Sequence, residues 1–262
     1  MSETLSLFVS RKITYEIEKD IISPLAQTLL ANNYQLKAAL EQLFMSQHFY
    51  DLDDHNADNE IIGALIKSPL DLALQALNFF ELAIPDPKTD AMNHYNQFYK
   101  NAVQDVMLSK AGFDIFQPPS VAGYPPYHQE PNYQRGWFNS NSIIPRFKLP
   151  EMLLQSKRIL SGGNLGGVKL NIVDFVRKGT YFPTPQDAES VVKGLVNYML
   201  PEEPDDKRIH YFLNEVFLNG LSPKNWEVEW NNYRKSGDDS DVKIPLSNLV
   251  QAIMYSPEYQ LF

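Results

Sequence analysis

Hydrophobic residues recur at helical spacing along most of the chain. One stripe follows the i, i+3, i+4, i+7, i+8 pattern of a helix that packs one face against a core, and it consists of Leu36, Ala39, Leu40, Leu43 and Phe44. Comparable stripes lie within residues 5–17, 70–77, 92–106, 191–199, 209–217 and 246–253. Matching the sequence to this template predicts about eight to ten helices and no β-hairpin.

Prolines, glycines and capping residues set the expected ends of several helices. Pro69 stands where a first helical turn accepts proline, and Gly112 follows the stripe at 92–106 as a helix terminator. The run Thr184-Pro185-Gln186-Asp187 is typical of a cap, a first-turn proline and an acidic third position. We therefore expect a helix to start at Thr184.

Two short segments are candidates for β-strands. Residues 168–176 fit either a short strand or a short helix, and Trp226 to Trp230 alternates between apolar and polar positions over five residues. Neither segment has an obvious pairing partner. The predicted fold class is therefore mainly α: an irregular multi-helix bundle with a long ordered loop and little or no sheet. We expect a single α-helical domain over residues 1–262.

A weak internal repeat relates the two ends of the chain. Residues 36–49 align without a gap to residues 246–259, so that Ser46 matches Ser256 and Phe49 matches Tyr259. This alignment predicts helical pairs within residues 1–50 and 187–262, on either side of a central insertion at 113–185. The alternative is that any two amphipathic helices would align this well.

The central segment at 113–147 is rich in proline, glycine and aromatic residues. Pro118 and Pro119 force an extended backbone, while Gly123 and Gly136 offer turns directly before large rings. The candidate binding residues of this segment are Tyr124, Tyr127, His128, Tyr133, Arg135 and Trp137.

Two interpretations of this aromatic loop are open. The rings form either a structural clasp packed on the helical body or a surface for a protein or glycan partner. In a mixed arrangement, Trp137 and Phe116 face inward and the tyrosines face outward. We expect alanine at either inward position to destabilise the protein strongly.

The same segment carries a family resemblance. The order Phe-x-Pro-Pro-Ser-Val-x-Gly-aromatic, then Trp-x-Asn, then an apolar pair and an arginine, resembles a large bacterial family known as domain of unknown function 1800. The residues concerned are Phe116, Pro118, Pro119, Gly123, Trp137, Asn139 and Arg146. The resemblance extends to Phe8-Val-Ser-Arg-Lys12, to Lys67-Ser-Pro-Leu70 and to Ser256-Pro-Glu-Tyr259.

The chain departs from the usual family pattern at two places in the central segment, and the family also suggests a location for the protein. Tyr124 stands where members usually have tryptophan, and the link at 125–135 is longer than usual. Members are typically longer at the N-terminus and often begin with an export signal. The resemblance therefore implies the C-terminal portion of a longer protein and an exported or periplasmic location.

Charge and composition exclude several function classes. The chain has 23 Lys+Arg against 32 Asp+Glu, and this net charge of −9 argues against a nucleic-acid partner, whose phosphates require cationic contacts. No run approaches the roughly 20 apolar residues of a membrane span. With no cysteine, the chain has no disulfide or thiolate metal site. The sequence gives no indication of a cofactor or of the oligomeric state.

No catalytic or metal-binding constellation is recognisable. The acidic run at 51–60 misses the calcium-loop pattern, because Asn56 replaces the turn glycine and Ile62 replaces the last glutamate. A second acidic loop at 238–241 and a glycine run at 161–167 are best explained as solvated surface turns. No two histidines show metal-ligand spacing, and His128 is the one candidate base.

Three functions from different classes follow. The first is a non-catalytic interaction or scaffold module of a cell-envelope or exported bacterial protein, which displays the aromatic loop to a protein or glycan partner. The second is an architectural C-terminal part of a longer protein. The third is a hydrolase with a loop-borne histidine base. The sequence favours the first and leaves enzyme activity open, with no catalytic residue assigned.

Overall fold

The computed structural model describes residues 13–50, 65–121, 123–124, 136–155, 170–202 and 204–262. These residues form helices and turns, and within them β-structure is limited to two isolated bridges, Ile66 with Leu261 and Ser120 with Gly123. The prediction of a mainly α fold is confirmed. None of the described helices is long and apolar enough to cross a membrane.

The described residues form eleven helices. They are α1 (Tyr15–Ile17, continuing through Glu18–Ile22 and Ser23–Ala31), α2 (Leu36–Phe44), α3 (Gln47–Tyr50), α4 (Pro69–Phe79), α5 (Asn93–Leu108, with a 3₁₀ turn at Ser109–Ala111), α6 (Ile143–Gln155), α7 (Ile172–Arg177), α8 (Ala188–Met199), α9 (Asp206–His210, continuing through Tyr211–Phe217), α10 (Pro223–Ser236) and α11 (Ser240–Tyr255). A last 3₁₀ turn spans Glu258–Gln260.

Helix α11 is the centre of the main core. It packs against α6, α7, α8, α9 and α10. The side chains that it buries follow the predicted stripe and are Val242, Leu246, Leu249, Val250, Ile253 and Met254. Because a side chain of this size is worth about 1.5–3 kcal/mol when removed from water, this one helix supplies a large part of the burial that holds the bundle together.

Helix α4 begins as the sequence predicts, with Pro69 in its first turn. The Ser68 hydroxyl accepts the backbone N–H of Asp71 at 3.2 Å, and the Asp71 carboxylate accepts the backbone N–H of Ser68 at 3.1 Å. This capping box satisfies two of the N–H groups that a helix start leaves open. It also places Lys67 directly before the helix.

Helix α5 is a π-helix, and this changes which of its residues are buried. With i→i−5 hydrogen bonds the turn is wider than in an α-helix, and the inward residues are Phe98, Val103 and Met107. The expected stripe was partly wrong, because Met92 and Tyr95 are 73% and 57% exposed. Spacing based on 3.6 residues per turn does not fit such a helix.

The segment from Trp226 to Trp230 is helical, so its interpretation as a strand was wrong. It lies in α10, where Trp226, Trp230 and Tyr233 share one buried face at the spacing i, i+4, i+7. Gly237 ends the helix with a φ of 77°, a conformation that glycine adopts without strain. The ring nitrogen of Trp226 donates a hydrogen bond of 2.9 Å to the Pro185 carbonyl.

Two helices near residue 180 bear on the predictions for residues 168–176 and for the helix cap at Thr184. Residues 172–177 form α7, so the helical alternative for this region is correct for the residues that the structure describes. The predicted cap at Thr184 was wrong, because Asp187 caps α8 by accepting the N–H of Ser190 at 3.2 Å. Gly194 in α8 allows the Phe182 ring to approach closely, since a Cβ there would lie 2.9 Å from it.

Helix α6 was not predicted, because it lies within the supposed central insertion and contains Pro150. It nevertheless buries Leu149, Met152 and Leu153 against the main core. The helix also carries Arg146 into the interior, which matters for the site below.

The two segments of the weak repeat end in the same turn but differ in burial. Ser46 donates its hydroxyl to the Leu43 carbonyl at 2.6 Å, and Ser256 donates to the Ile253 carbonyl at 2.7 Å. The matched aromatics differ, since Phe49 is 37% exposed and Tyr259 is 1% exposed. Buried residues of α1 and α2 form a cluster of their own, separate from the main core. A true duplication stays a prediction.

Candidate interaction site

The loop after α5 is fastened to itself by an aromatic pair. Gly112 ends the helix with a φ of 87°, and the Tyr124 ring stacks on Phe113 with ring centres 5.1 Å apart and planes at 4°. The Tyr124 hydroxyl donates to the Asp114 carbonyl at 2.5 Å and lies 2.5 Å from the Asp114 backbone nitrogen, whose N–H it accepts. These contacts hold the two ends of the segment 113–124 together, and we call Phe113, Asp114 and Tyr124 the base of the loop.

The side chain of Asp114 attaches this base to the end of α5. Its carboxylate accepts hydrogen bonds from the Gln104 amide at 3.1 Å and from the Ser109 hydroxyl. Further out, the Ser120 carbonyl accepts the Gly123 N–H at 3.0 Å, and the Ser120 hydroxyl donates to the Gly123 carbonyl at 3.0 Å. Two successive turns thus fix the loop, and Phe113 and Ile115 at its start also pack against the main core.

Residues 116–121, which we call the display loop, face solvent. Phe116 is 93% exposed and Val121 is fully exposed, and Pro118 and Pro119 between them are exposed as well. Phe116 has a φ of 64°, a left-handed conformation that is unusual for a large side chain. The expectation that Phe116 packs inward was wrong, because its side chain is almost fully exposed.

Trp137 lies on the inner side, as the sequence predicts. It is 9% exposed, and its ring centre is 5.9 Å from that of Phe113. The Ser142 hydroxyl donates to the Trp137 carbonyl at 2.7 Å, while Asn139 accepts the Ser142 N–H at 2.9 Å. These bonds form the turn that starts α6.

Arg146, one turn into α6, reaches a buried polar cluster. Its Nη2 donates to the Lys67 carbonyl at 2.5 Å and its Nε donates to the Gln260 Oε1 at 3.1 Å. The Phe138 ring covers the guanidinium at 4.8 Å. Lys67 Nζ donates to the Tyr259 carbonyl at 2.9 Å, so the two cations bind adjacent residues, Tyr259 and Gln260.

Burial governs the electrostatics of this cluster. Lys67 and Arg146 are each 3% exposed. Desolvation, with a smaller contribution from the Arg146 charge, lowers the pKa of Lys67 to about 8, and desolvation lowers the pKa of Arg146 to about 10. Both side chains are still cations at neutral pH. The charge of Asp71 partly offsets the desolvation of both.

Sequence reasoning identified only part of this cluster. It singled out Trp137, Asn139 and Arg146 but gave no role to Lys67, Ser142 or Gln260. Lys67 and Gln260 lie 79 and 114 residues from Arg146 along the chain. A signal was present, since the segments at 67–70, 137–146 and 256–259 all carry the family resemblance, and they meet here.

The remaining predicted binding residues are divided between inner positions and the undescribed part of the chain. Tyr124 is half-buried in the stacked pair, and so belongs to the clasp and not to an open tyrosine surface. Tyr127, His128, Tyr133 and Arg135 lie outside the described residues. So do the acidic run at 51–60 and the glycine run at 161–167. In the described ranges, no group of three or more His, Asp or Glu side chains could hold a metal.

A cleft of about 860 Å³ lies elsewhere, between α7, α10 and residues 183–186. Among its charged side chains, Arg177 contacts Asp174 at 2.7 Å, Arg234 is exposed and Asp239 is half-buried. The cleft has no buried polar group that points to a particular ligand.

These observations define a class: a mainly α-helical protein with a hydrogen-bonded proline-glycine loop and a buried pair of cations. A family model described as protein of unknown function (DUF1800) matches residues 5–261, and the chain belongs to that family. No curated protein and no solved structure matches the chain.

Proposed function

We propose that the chain is a non-catalytic interaction module whose display loop binds a protein partner. The observation that carries the proposal is Phe116, a large apolar ring that is 93% exposed on a loop fixed by hydrogen bonds. A buried aromatic would contribute stability, whereas this ring contributes almost none to the fold. Exposed apolar groups of this kind are typical of binding surfaces.

The backbone of Phe116 supports the same proposal. A left-handed conformation at a residue other than glycine costs on the order of 1–3 kcal/mol and tends to occur where function requires it. Because the clasp formed by Phe113, Asp114 and Tyr124 already fixes the loop, a partner would not have to order it on binding. Such preorganisation lowers the entropic cost of association.

The chemistry of the display loop favours a protein over a glycan. Four of its six exposed side chains offer apolar area, namely Phe116, Pro118, Pro119 and Val121. The other two are Gln117 and Ser120, and the Ser120 hydroxyl is already engaged by the Gly123 carbonyl. Sugar recognition requires polar groups beside the stacking ring, and glycan sites are typically concave. A protruding apolar loop is suited to insertion into a hydrophobic pocket of another protein. The family resemblance adds the cell envelope or the exterior as the proposed location.

Photo-crosslinking in cells of the source organism tests this function. A photoreactive amino acid is placed at position 121 and, as a matched control, at Ile244, which is 64% exposed on the surface of α11. We expect position 121 to give one reproducible protein adduct that disappears in the additional variant Phe116→Ser. Position 244 should not give that adduct.

The other outcomes each reject a stated part of the proposal. No adduct at position 121, or the same adducts at both positions, would contradict a binding surface at the display loop. An adduct of twice the chain mass would replace an external partner with self-association. Binding on a glycan array that depends on Phe116 would replace the protein partner with a sugar.

A further inference from the structure

The buried cations beneath Phe138 lack the partner that buried charges normally have. Neither Lys67 nor Arg146 forms an ion pair with a carboxylate in the described part of the chain, and the bonds that they make go to carbonyl groups and an amide. Asp71 is the acidic side chain whose charge acts on both cations, and its carboxylate already accepts hydrogen bonds from the N–H and the hydroxyl of Ser68. Burying charges without a directly paired carboxylate carries a large desolvation cost, which the Asp71 charge offsets only in part, and two like charges add repulsion.

Two hydrogen-bond donors of the same cluster are unpartnered. They are Nη1 of Arg146 and Nε2 of Gln260, and both atoms are buried. Arg146 and Gln260 are 3% and 1% exposed, and they already contact each other through Nε and Oε1. Buried donors of this kind are usually satisfied, so two of them beside two cations indicate a place for an acceptor.

We propose that Lys67, Arg146 and Gln260 form an oxyanion-binding site. A small oxyanion, such as a carboxylate, a sulfate or a phosphate, would accept hydrogen bonds from Arg146 Nη1 and Gln260 Nε2, and its charge would offset those of both cations. The site is independent of the display loop, because it uses none of residues 116–121.

The arrangement of the cluster explains why it does more than join chain segments. The contacts that tie residues 65–67 to residues 260–262 are backbone bonds, from Lys67 N–H to the Gln260 carbonyl at 2.9 Å and from Phe262 N–H to the Leu65 carbonyl at 2.9 Å. These bonds need no charge. Two buried cations and two unpartnered donors exceed what such a junction requires.

The surrounding rings define the approach to the site. Phe138 covers the Arg146 guanidinium and is half-buried, while the Phe262 ring lies 5.7 Å from Lys67 Nζ and is 50% exposed. A small anion would enter beside these two rings. A large ligand could not reach Arg146 without displacing Phe138, so we confine the proposal to small ions or to a single terminal group.

Thermal unfolding in defined anions tests the site. The melting temperature is measured in chloride and in rising concentrations of sulfate, phosphate, acetate and formate at constant ionic strength. Specific binding raises the melting temperature with the logarithm of the anion concentration once that concentration exceeds the dissociation constant, whereas a general salt effect grows roughly in proportion to concentration. We expect at least one oxyanion to raise the melting temperature of the parent protein by several degrees. Comparing sulfate and phosphate with acetate and formate shows whether the site prefers a tetrahedral oxyanion or a planar carboxylate.

The variant Gln260→Glu supplies a matched internal test. It keeps the shape of the side chain but places a carboxylate beside Arg146 and Lys67. We expect it to melt above the parent in chloride and to lose the oxyanion effect. The control Gln186→Glu, at an exposed position, should keep the oxyanion response of the parent.

Three results would overturn the proposal. They are the absence of a logarithmic stabilisation by any of the four oxyanions, an equal effect in the parent and in Gln260→Glu, or a Gln260→Glu variant that melts well below the parent. Each would leave the cluster as a junction between chain segments, with its donors satisfied by water. None of them would affect the proposed role of the display loop.

Discussion

The inner and outer sides of the central segment use similar residues in opposite ways. On the inner side, Phe113 and Trp137 pack together and Arg146 is buried with Lys67. On the outer side, Phe116 is exposed although it lies three residues from Phe113. The difference shows that the hydrogen-bonded base of the loop, and not the aromatic content of the segment, decides which rings support the fold.

Truncation of the inner ring is expected to have the largest effect. Trp137→Ala removes a side chain that is 9% exposed and leaves a cavity beside Phe113. We predict a loss of about 3–5 kcal/mol in the free energy of unfolding. Denaturant unfolding monitored by circular dichroism measures it. A loss below about 1 kcal/mol would show that Trp137 is not part of the clasp.

Because Lys67 is buried on the inner side, its titration makes the free energy of unfolding depend on pH. Residues 116–121 on the outer side have no titratable side chain. The folded pKa of Lys67, about 8, lies below its ordinary value of 10.5. The unfolded chain therefore binds more protons between these values, and stability rises with pH from about 8 toward 10.5. The gain is at most about 3 kcal/mol.

The variant Lys67→Met isolates this contribution. Between pH 7 and 9.5, below the range in which buried Tyr259 begins to matter, the stability of the parent relative to Lys67→Met should rise. Chemical unfolding at several pH values provides the comparison. A difference that stays constant with pH would mean that Lys67 titrates normally.

The turn at the start of α6 should contribute less. Ser142→Ala removes the hydroxyl that donates to the Trp137 carbonyl and accepts the Asn139 N–H at 3.0 Å. We predict a loss of about 1–3 kcal/mol, because buried groups are left unpaired. The exposed neighbour Ser140 is the matched control, and Ser140→Ala should change stability by less than about 0.5 kcal/mol. Equal losses of stability at both positions would show that the hydrogen bonds of the Ser142 hydroxyl do not stabilise this turn.

The hydroxyl that closes the loop base should have a smaller effect still. Tyr124→Phe keeps the ring stacked on Phe113 but removes the bonds to the Asp114 backbone. A net loss of about 1 kcal/mol is expected from urea unfolding. If the variant also weakens partner binding, the clasp preorganises the display loop. An unchanged affinity would separate the clasp from function.

Sequence patterns predicted the fold where one face of a regular helix carries the apolar residues. Helices α8 and α11 meet this condition along their whole predicted stripes. Helices α2 and α4 meet it in part, because Leu36, Phe44 and Leu74 of the predicted stripes are 45%, 36% and 46% exposed. Helix α4 also begins at the expected first-turn proline. The pattern failed in α5, whose π-helical turn is wider, and in α10, where Trp226 to Trp230 fits both a strand and a helix. Tyr233 and Gly237 would have favoured the helix.

The site could be predicted only in part, because its essential features are long-range or conformational. Trp137 and Arg146 were identifiable as members of a motif. That Arg146 meets Lys67 and Gln260 depends on contacts across the whole fold. The orientation of Phe116 depends on one left-handed φ, which nothing in its neighbours indicates.

The measurement that tests the central claim most directly is the free energy of unfolding of Phe116→Ala beside that of the parent. We predict that the free energy of unfolding changes by less than about 0.5 kcal/mol, because a side chain that is 93% exposed loses almost no burial when truncated. The same variant should lose the crosslinked partner of position 121. A destabilisation of 3 kcal/mol or more, comparable to a buried aromatic, would show that the ring supports the fold and would contradict the display of Phe116.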